Sequence, residues 1–273
     1  MSVNVAGCTR EALDLAAFAS VKSNGDWSPW FCMLRRGQPA FDEGVLNDPM
    51  GLVDVDELRL SEPATEIRCR INWQSTDLSC RIRRIALSVS DNSAWKSSAT
   101  VSRPVRLDVP FLSQWDAKHH HGRRVCSPTC LAMVARFHGL SVTTDDVATL
   151  AYDPAFDVYG NWSASMLAMS ILGFRATVER ARSLDPLDIA LDFGEPVVTS
   201  FAFRRGELSG APIESTRGHL VVVCGRSDNG DFLVRDPAAN GPDDWRQYAR
   251  PEFENAWLGH GGIHYRIRRE DPA

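Results

Sequence analysis

The sequence predicts an α+β protein in two parts. An N-terminal antiparallel β-sandwich spans residues 1–100, with a linker at about residues 90–104. A second domain spans residues 105–273, where a helical half packs on an antiparallel sheet. Three observations carry this. Residues 27–89 alternate apolar and polar side chains with period two, as half-buried strands do. The serine-rich stretch Ser88 to Ser102 then breaks the pattern. Beyond it, apolar residues recur first at helical spacing and later in short strand runs, without the strand-helix alternation of a parallel sheet.

Taken in order, the clearest strand places Ile67, Cys69, Ile71 and Trp73 on one face and Arg68, Arg70, Asn72 and Gln74 on the other, which makes Cys69 a core residue. Shorter alternating pieces cover 53–60 and 80–89. In the second of these the apolar phase slips between Ile82 and Ile85, and a bulge across Arg83-Arg84 restores it. Trp27, Trp30 and Trp73 read as core aromatics rather than as a sugar-stacking platform. After the linker, VRLDVPFLSQW (105–115) resumes a strand pattern. A helix follows over Ser127 to His138, burying Cys130, Leu131, Val134, Phe137 and His138 on one face and closing at Gly139. Two more helices are expected at 145–152 and 163–172. Strands are expected at 196–203, 219–225, 231–236 and 263–267.

Composition excludes several classes. Of the 273 residues, 44% are hydrophobic and 24% charged, the balance of a soluble globular chain and not of a disordered or fibrous one. A net charge of −5 offers no field to gather nucleic acid, despite the pairs Arg123-Arg124, Arg204-Arg205 and Arg268-Arg269, so no nucleic-acid partner is expected. No window approaches the ~18 apolar residues of a membrane span, and the amino terminus lacks the marks of a secretory signal. The expectation is no membrane partner and a cytoplasmic location as written, with export left open. Seven cysteines, an odd count spread over a long chain, read as mostly reduced thiols.

The chemistry centres on Cys126. A polar loop runs into it and a helix begins at once, with Ser127 as a candidate cap and Pro128 in the first turn. A thiol at that end meets unpaired N–H groups and the positive end of the helix dipole, which favour the thiolate. A thiol nucleophile also needs a base, a group to orient the base, and donors for an oxyanion. His219 opens an apolar strand, and Asp236 ends the next one. A hairpin turning at Ser227 to Gly230 brings the two together. Gln114, just upstream of the loop, offers an amide beside the Cys126 N–H. Cys130 and Cys224 read as core. The run His119-His120-His121 reads as a solvated loop, because neighbouring histidines point apart; no metal and no cofactor are expected.

The segment CSPTCLAMVARFHG, Gln114 upstream, GHLVVVCG (218–225), VRDPAAN (234–240) and GELSGAPIESTRGH (206–219) resemble the papain-like cysteine peptidases of the bacteriocin-processing, C39-like type, in the stand-alone group. The likeness covers about residues 105–267. DWSPWFCML (26–34) is more weakly similar to the β-sandwich that precedes such domains in some bacterial proteins. The resemblance implies a peptide or protein substrate, with Cys126 as nucleophile, His219 as base, Asp236 as orienting residue and Gln114 as oxyanion donor. Two positions depart from it: Ser127 stands where many relatives have glycine, and Cys130 where alanine or a small polar residue is common. Neither removes a catalytic group. The same site supports acyl transfer or deamidation as an alternative. From another class, the chain reads as a non-catalytic module whose sandwich binds a polymer or protein.

Overall fold

The computed structural model of the chain describes residues 1–9, 12–37, 44–91, 94–96, 103–118, 124–241 and 245–270. Among the described residues these strands come first: β1 (Ser2–Ala6), β2 (Leu13–Ser23), β3 (Asp26–Trp27), β4 (Phe31–Arg36), β5 (Asn47–Asp48), β6 (Gly51–Asp54), β7 (Glu57–Leu60), β8 (Glu66–Ser75) and β9 (Arg81–Ala86). Then follow β10 (Val105–Arg106), α1 (Cys126–Phe137), α2 (Thr144–Ala151), α3 (Trp162–Ile171), β11 (Phe174–Arg180), α4 (Asp185–Asp192), β12 (Val197–Phe203), β13 (Thr216–Arg226), β14 (Phe232–Arg235), β15 (Arg246–Tyr248), α5 (Arg250–Leu258) and β16 (Ile263–Arg269). The α+β class holds, and every ladder between named strands is antiparallel.

The chain forms two compact units, Met1–Leu87 with Leu150–Gly173, and Ser88–Thr149 with Phe174–Ala273. A single boundary near residue 100 assigns 150–173 to the second domain, whereas these residues pack in the first. The reason lies in α3, where Ser163 to Ser170 are buried all round and Ala164 and Leu167 join the core of Val3, Val5, Leu15 and Phe31. Polar groups fix it there: Val5 N–H donates to Ser170 Oγ at 3.1 Å, Ser163 Oγ to Met1 O at 2.6 Å and Trp162 N–H to Asp56 Oδ2 at 2.8 Å. A helix therefore helps to close this core, which the strand pattern of residues 27–89 gave no reason to expect.

In the first unit β8, β2 and β4 lie side by side, β1 pairs with β9, and β5, β6 and β7 form a third sheet. The bulge appears where the phase slip put it, since Asn4 opposes Arg84 but Val5 opposes Ile82, which leaves Arg83 as the extra residue. The buried face of β8 is only half realised. Cys69 and Ile71 pack against the core, but Ile67 and Trp73 remain 42% and 38% exposed, because β8 is bonded to β2 alone among the described residues. Trp27 is also exposed and Trp30 half-buried, so the tryptophans are not core. Nor are all thiols reduced: Cys8 and Cys80 form a disulfide that ties the end of β1 to the start of β9.

The second unit is built on one sheet in the order β11-β16-β12-β13-β14-β15, with β10 beside β13. Helix α1 packs on β13, while α4 and α5 share a core with β12, β13 and β14 that includes Leu187, Leu191, Phe201, Val221, Val223, Phe232, Phe253 and Trp257. The strand expected over 105–115 shrinks to Val105–Arg106. It closes on β13 at Gly225, where any Cβ would lie 2.5 Å from Val105 O. Gly139, at φ +84°, turns the chain off the end of α1. Of the linker, residues 92, 93 and 97–102 lie outside the described residues.

Candidate active site

Helix α1 begins at Cys126 itself. Val125 is the N-cap residue and gives no side-chain cap, so Ser127 does not cap the helix; it is buried, with its hydroxyl 3.4 Å from Tyr265 Oη. Cys126 thus sits at the uncapped amino end of a 12-residue helix and is the half-buried thiol of that segment. One turn on, fully buried Cys130 donates to Leu220 O at 3.2 Å, which fastens α1 to β13 beside His219.

His219 lies inside β13 opposite Phe201, three residues later than the strand's actual start at Thr216. The hairpin forms as the sequence predicts, with Val222 opposite Arg235 and Arg226 opposite Phe232. It brings His219 Nε2 to 2.8 Å from Asp236 Oδ1, both side chains being buried. The Cys126 thiol and the His219 ring lie close enough that each shifts the pKa of the other. Asp236 Oδ1 also accepts the Ala238 N–H at 2.9 Å, and Oδ2 accepts the hydroxyl of fully buried Tyr248 at 2.7 Å.

Gln114 lies on a single 3₁₀ turn, Gln114–Asp116, and not on a strand. This turn is stapled to the residues after Asp236: Gln114 N–H donates to Pro237 O at 2.8 Å, Trp115 Nε1 to Ala238 O at 2.9 Å and Ser113 Oγ to Ala239 O at 3.1 Å. The Gln114 side chain is buried, and its Oε1 has no hydrogen-bond partner. His119, His120 and His121 lie outside the described residues. Among the described residues no three His, Cys, Asp or Glu side chains group closely enough to hold a metal ion.

The electrostatics divide the thiols sharply. Burial pushes Cys126 up, but the hydrogen bond and charge of His219, with the N–H groups of Leu220 and Ser127, outweigh it and hold the thiol below its ordinary value. Burial pulls His219 down, and Asp236 first, then Cys126, lift it to about 10. Burial likewise opposes ionisation of Asp236, yet the charge and hydrogen bond of His219, the Tyr248 hydroxyl and the Ala238 N–H keep it below the usual carboxylate range. Elsewhere burial dominates: Cys130 is held well above the ordinary value, Cys224 is pushed up to about 12, and Cys32 and Cys69 are raised.

This thiol, imidazole and carboxylate lie within a stretch that a family description matches. The sequence pattern of the Peptidase C39-like family fits residues 106–265, more than half of the chain. The chain belongs to the peptidase C39-like family. It is accordingly a cysteine-type peptidase. Solved structures of similar chains include a Bacillus anthracis protein described as a C39-like peptidase, at 21% identity and a TM-score of 0.47, covering 63% of this chain and 100% of the other. The peptidase domain of Streptococcus ComA, a bifunctional ABC transporter, is similar at 19% identity and a TM-score of 0.44, over 59% and 99% of the two chains. A double-glycine-motif protease from an AMS/PCAT transporter, solved with a leader peptide, is similar at 18% and 0.41, over 61% and 98%. No curated protein sequence matches the chain. No helix among the described residues of this C39-like chain is long and apolar enough to cross a membrane.

Proposed function

We propose that Cys126, His219 and Asp236 are the catalytic triad of this C39-like peptidase and that Gln114 is its oxyanion donor. The observation that carries the reading is the 2.8 Å bond of buried His219 Nε2 to Asp236, with His219 the largest influence that holds the Cys126 thiol below its ordinary value. The Cys126 thiolate attacks a peptide carbonyl, and the Gln114 amide with the Cys126 N–H holds the oxyanion. Protonated His219 then gives its proton to the leaving amine, and a water that it deprotonates releases the acyl group. Tyr248 is a positioning residue: its hydroxyl is the donor on the second oxygen of Asp236. The substrate is a peptide or protein segment, in keeping with the leader peptide bound by one structural relative.

Iodoacetamide at pH 6, followed by peptide mapping, tests the reading without any substrate. Cys126 is expected to be labelled first and alone, because the other four free thiols are raised. Labelling of Cys32 or Cys69 as fast as Cys126 overturns it. Gln114→Ala is expected to lower kcat on a cleaved peptide by about 10²–10³ while leaving the melting temperature nearly unchanged, since one of its polar atoms is already unpartnered. A loss of stability without a loss of kcat makes Gln114 structural.

A further inference from the structure

Charge on the first unit is gathered in an unusual way on one face of β8. The guanidinium carbon of Arg68 lies 4.2 Å from the ring centre of Trp27 and 4.7 Å from that of Trp30. That of Arg70 lies 4.7 Å from Trp30 and 4.6 Å from Phe18. The rings and cations therefore alternate as Trp27, Arg68, Trp30, Arg70 and Phe18. Phe18 is fully buried and opposes Arg70 in the ladder between β2 and β8, and Trp27 is held by β3, so the stack is anchored from several strands.

Stacking on aromatic faces gives each cation an attraction that does not use its N–H groups. Those donors lie in the guanidinium plane, at its rim rather than on the face that meets the ring. Among the described residues neither arginine reaches a carboxylate, and Glu66, the acid next along the same face, is taken by Lys22 at 2.7 Å. This is not the rule for the chain: Arg226 pairs with Asp188 and Asp192, and Arg266 and Arg268 share Glu195. The Nε of Arg70 is covered and has no partner, so the rings and not a hydrogen bond hold that side chain in place. In a protein of net charge −5, two guanidinium groups held on rings and meeting no carboxylate among the described residues form a local site for negative charge.

The separation of the two cations selects the ligand. Arg68 and Arg70 are two residues apart on a strand, about 6.6 Å along its axis, which is the repeat at which an extended peptide presents side chains to one side. The Trp30 ring stands between the two guanidinium groups, 4.7 Å from each, and so spaces them for two separate anionic groups rather than one. We propose that Arg68 and Arg70 bind an extended acidic peptide, each guanidinium taking one of two carboxylates at alternate positions. This goes beyond the Cys126 site and does not depend on it.

The test is a titration of the full chain, followed by tryptophan fluorescence, with the blocked peptide Ser-Glu-Ala-Glu-Ser, its Gln-for-Glu counterpart, and inorganic phosphate. The acidic peptide is expected to saturate and to weaken as salt is raised. The neutral peptide, Arg68→Gln and Arg70→Gln are each expected to lower affinity about tenfold, because each removes charge-assisted hydrogen bonds. Arg68 is exposed, so that variant tests the site even where Arg70→Gln unfolds, and Cys126 alkylation reports that the rest of the protein is intact. Equal binding of the two peptides, no effect of Arg68→Gln, or phosphate binding as tightly as the acidic peptide overturns the proposal.

Discussion

His219→Ala is expected to slow alkylation of Cys126 at pH 6 by about thirtyfold or more, and to lower peptide turnover by at least about 10³. In the native site the influences that lower the thiol pKa act against burial, and the largest of them is His219. Removing the imidazole leaves the burial and takes away its opponent. The thiol then titrates at or above its ordinary value of 9.0, and at pH 6 only about one molecule in a thousand carries a thiolate. A more basic thiolate is intrinsically more reactive, which returns part of the loss and sets the smaller factor for alkylation. Turnover has no such compensation, because in the proposed mechanism the variant also lacks the acid that protonates the leaving amine. Measured from pH 4 to 10, the wild-type rate should level off below the range of an ordinary thiol, while that of the variant should keep rising towards pH 9. Matching profiles for the two proteins would sink the assignment of His219.

The pairing of His219 with Asp236 was legible because it needs only local rules: two strands, a turn at 227–230 and a register set by apolar alternation. The place of Cys126 at the start of a helix was legible for the same reason, as a helix start is written in a few residues. What was not legible depends on approach from far along the chain. Nothing in the sequence near Tyr248 says that its hydroxyl meets Asp236, since β15 is three residues long and is placed by its pairing with β14. Helices α4 and α5 were missed behind Pro186 and Pro251. Each of these prolines stands in the first turn of its helix, where proline is tolerated, and the short helix behind it was not among the elements expected. Period two on β8 correctly separated its faces but not which of them water reaches, because an outermost strand is covered only by what happens to stack on it. The departure of 150–173 from the second unit follows from burial all round α3, and uniform burial leaves no apolar stripe to say which core it joins.

Asp236→Asn should abolish most activity while leaving the fold in place, and that separation makes it the sharpest test of the site. Asparagine has the same shape. Its oxygen can accept from His219 Nε2 and the Ala238 N–H as Oδ1 does now, and its amide can donate to the Tyr248 oxygen in place of accepting from it. What it lacks is charge. Burial already pulls His219 down, and the Asp236 charge is the largest influence that lifts it to about 10, so in the variant the imidazole loses its proton near neutral pH. The Cys126 thiolate then loses its cationic partner, and turnover should fall by about 10³–10⁴, in line with the same change in a serine-protease triad. The pH dependence of stability carries a second signature. A histidine raised from 6.5 contributes stability that is complete below pH 6.5 and is lost as pH rises through about 10. Asp236, held below the carboxylate range, contributes stability above pH 3.8 that is lost as pH falls through its folded value. Melting temperatures of the wild type should therefore decline towards pH 10 and towards pH 3, and the Asn variant should show a flatter profile at both ends. If the variant instead retains turnover near the wild-type level, Asp236 is a turn residue and His219 is oriented by something else.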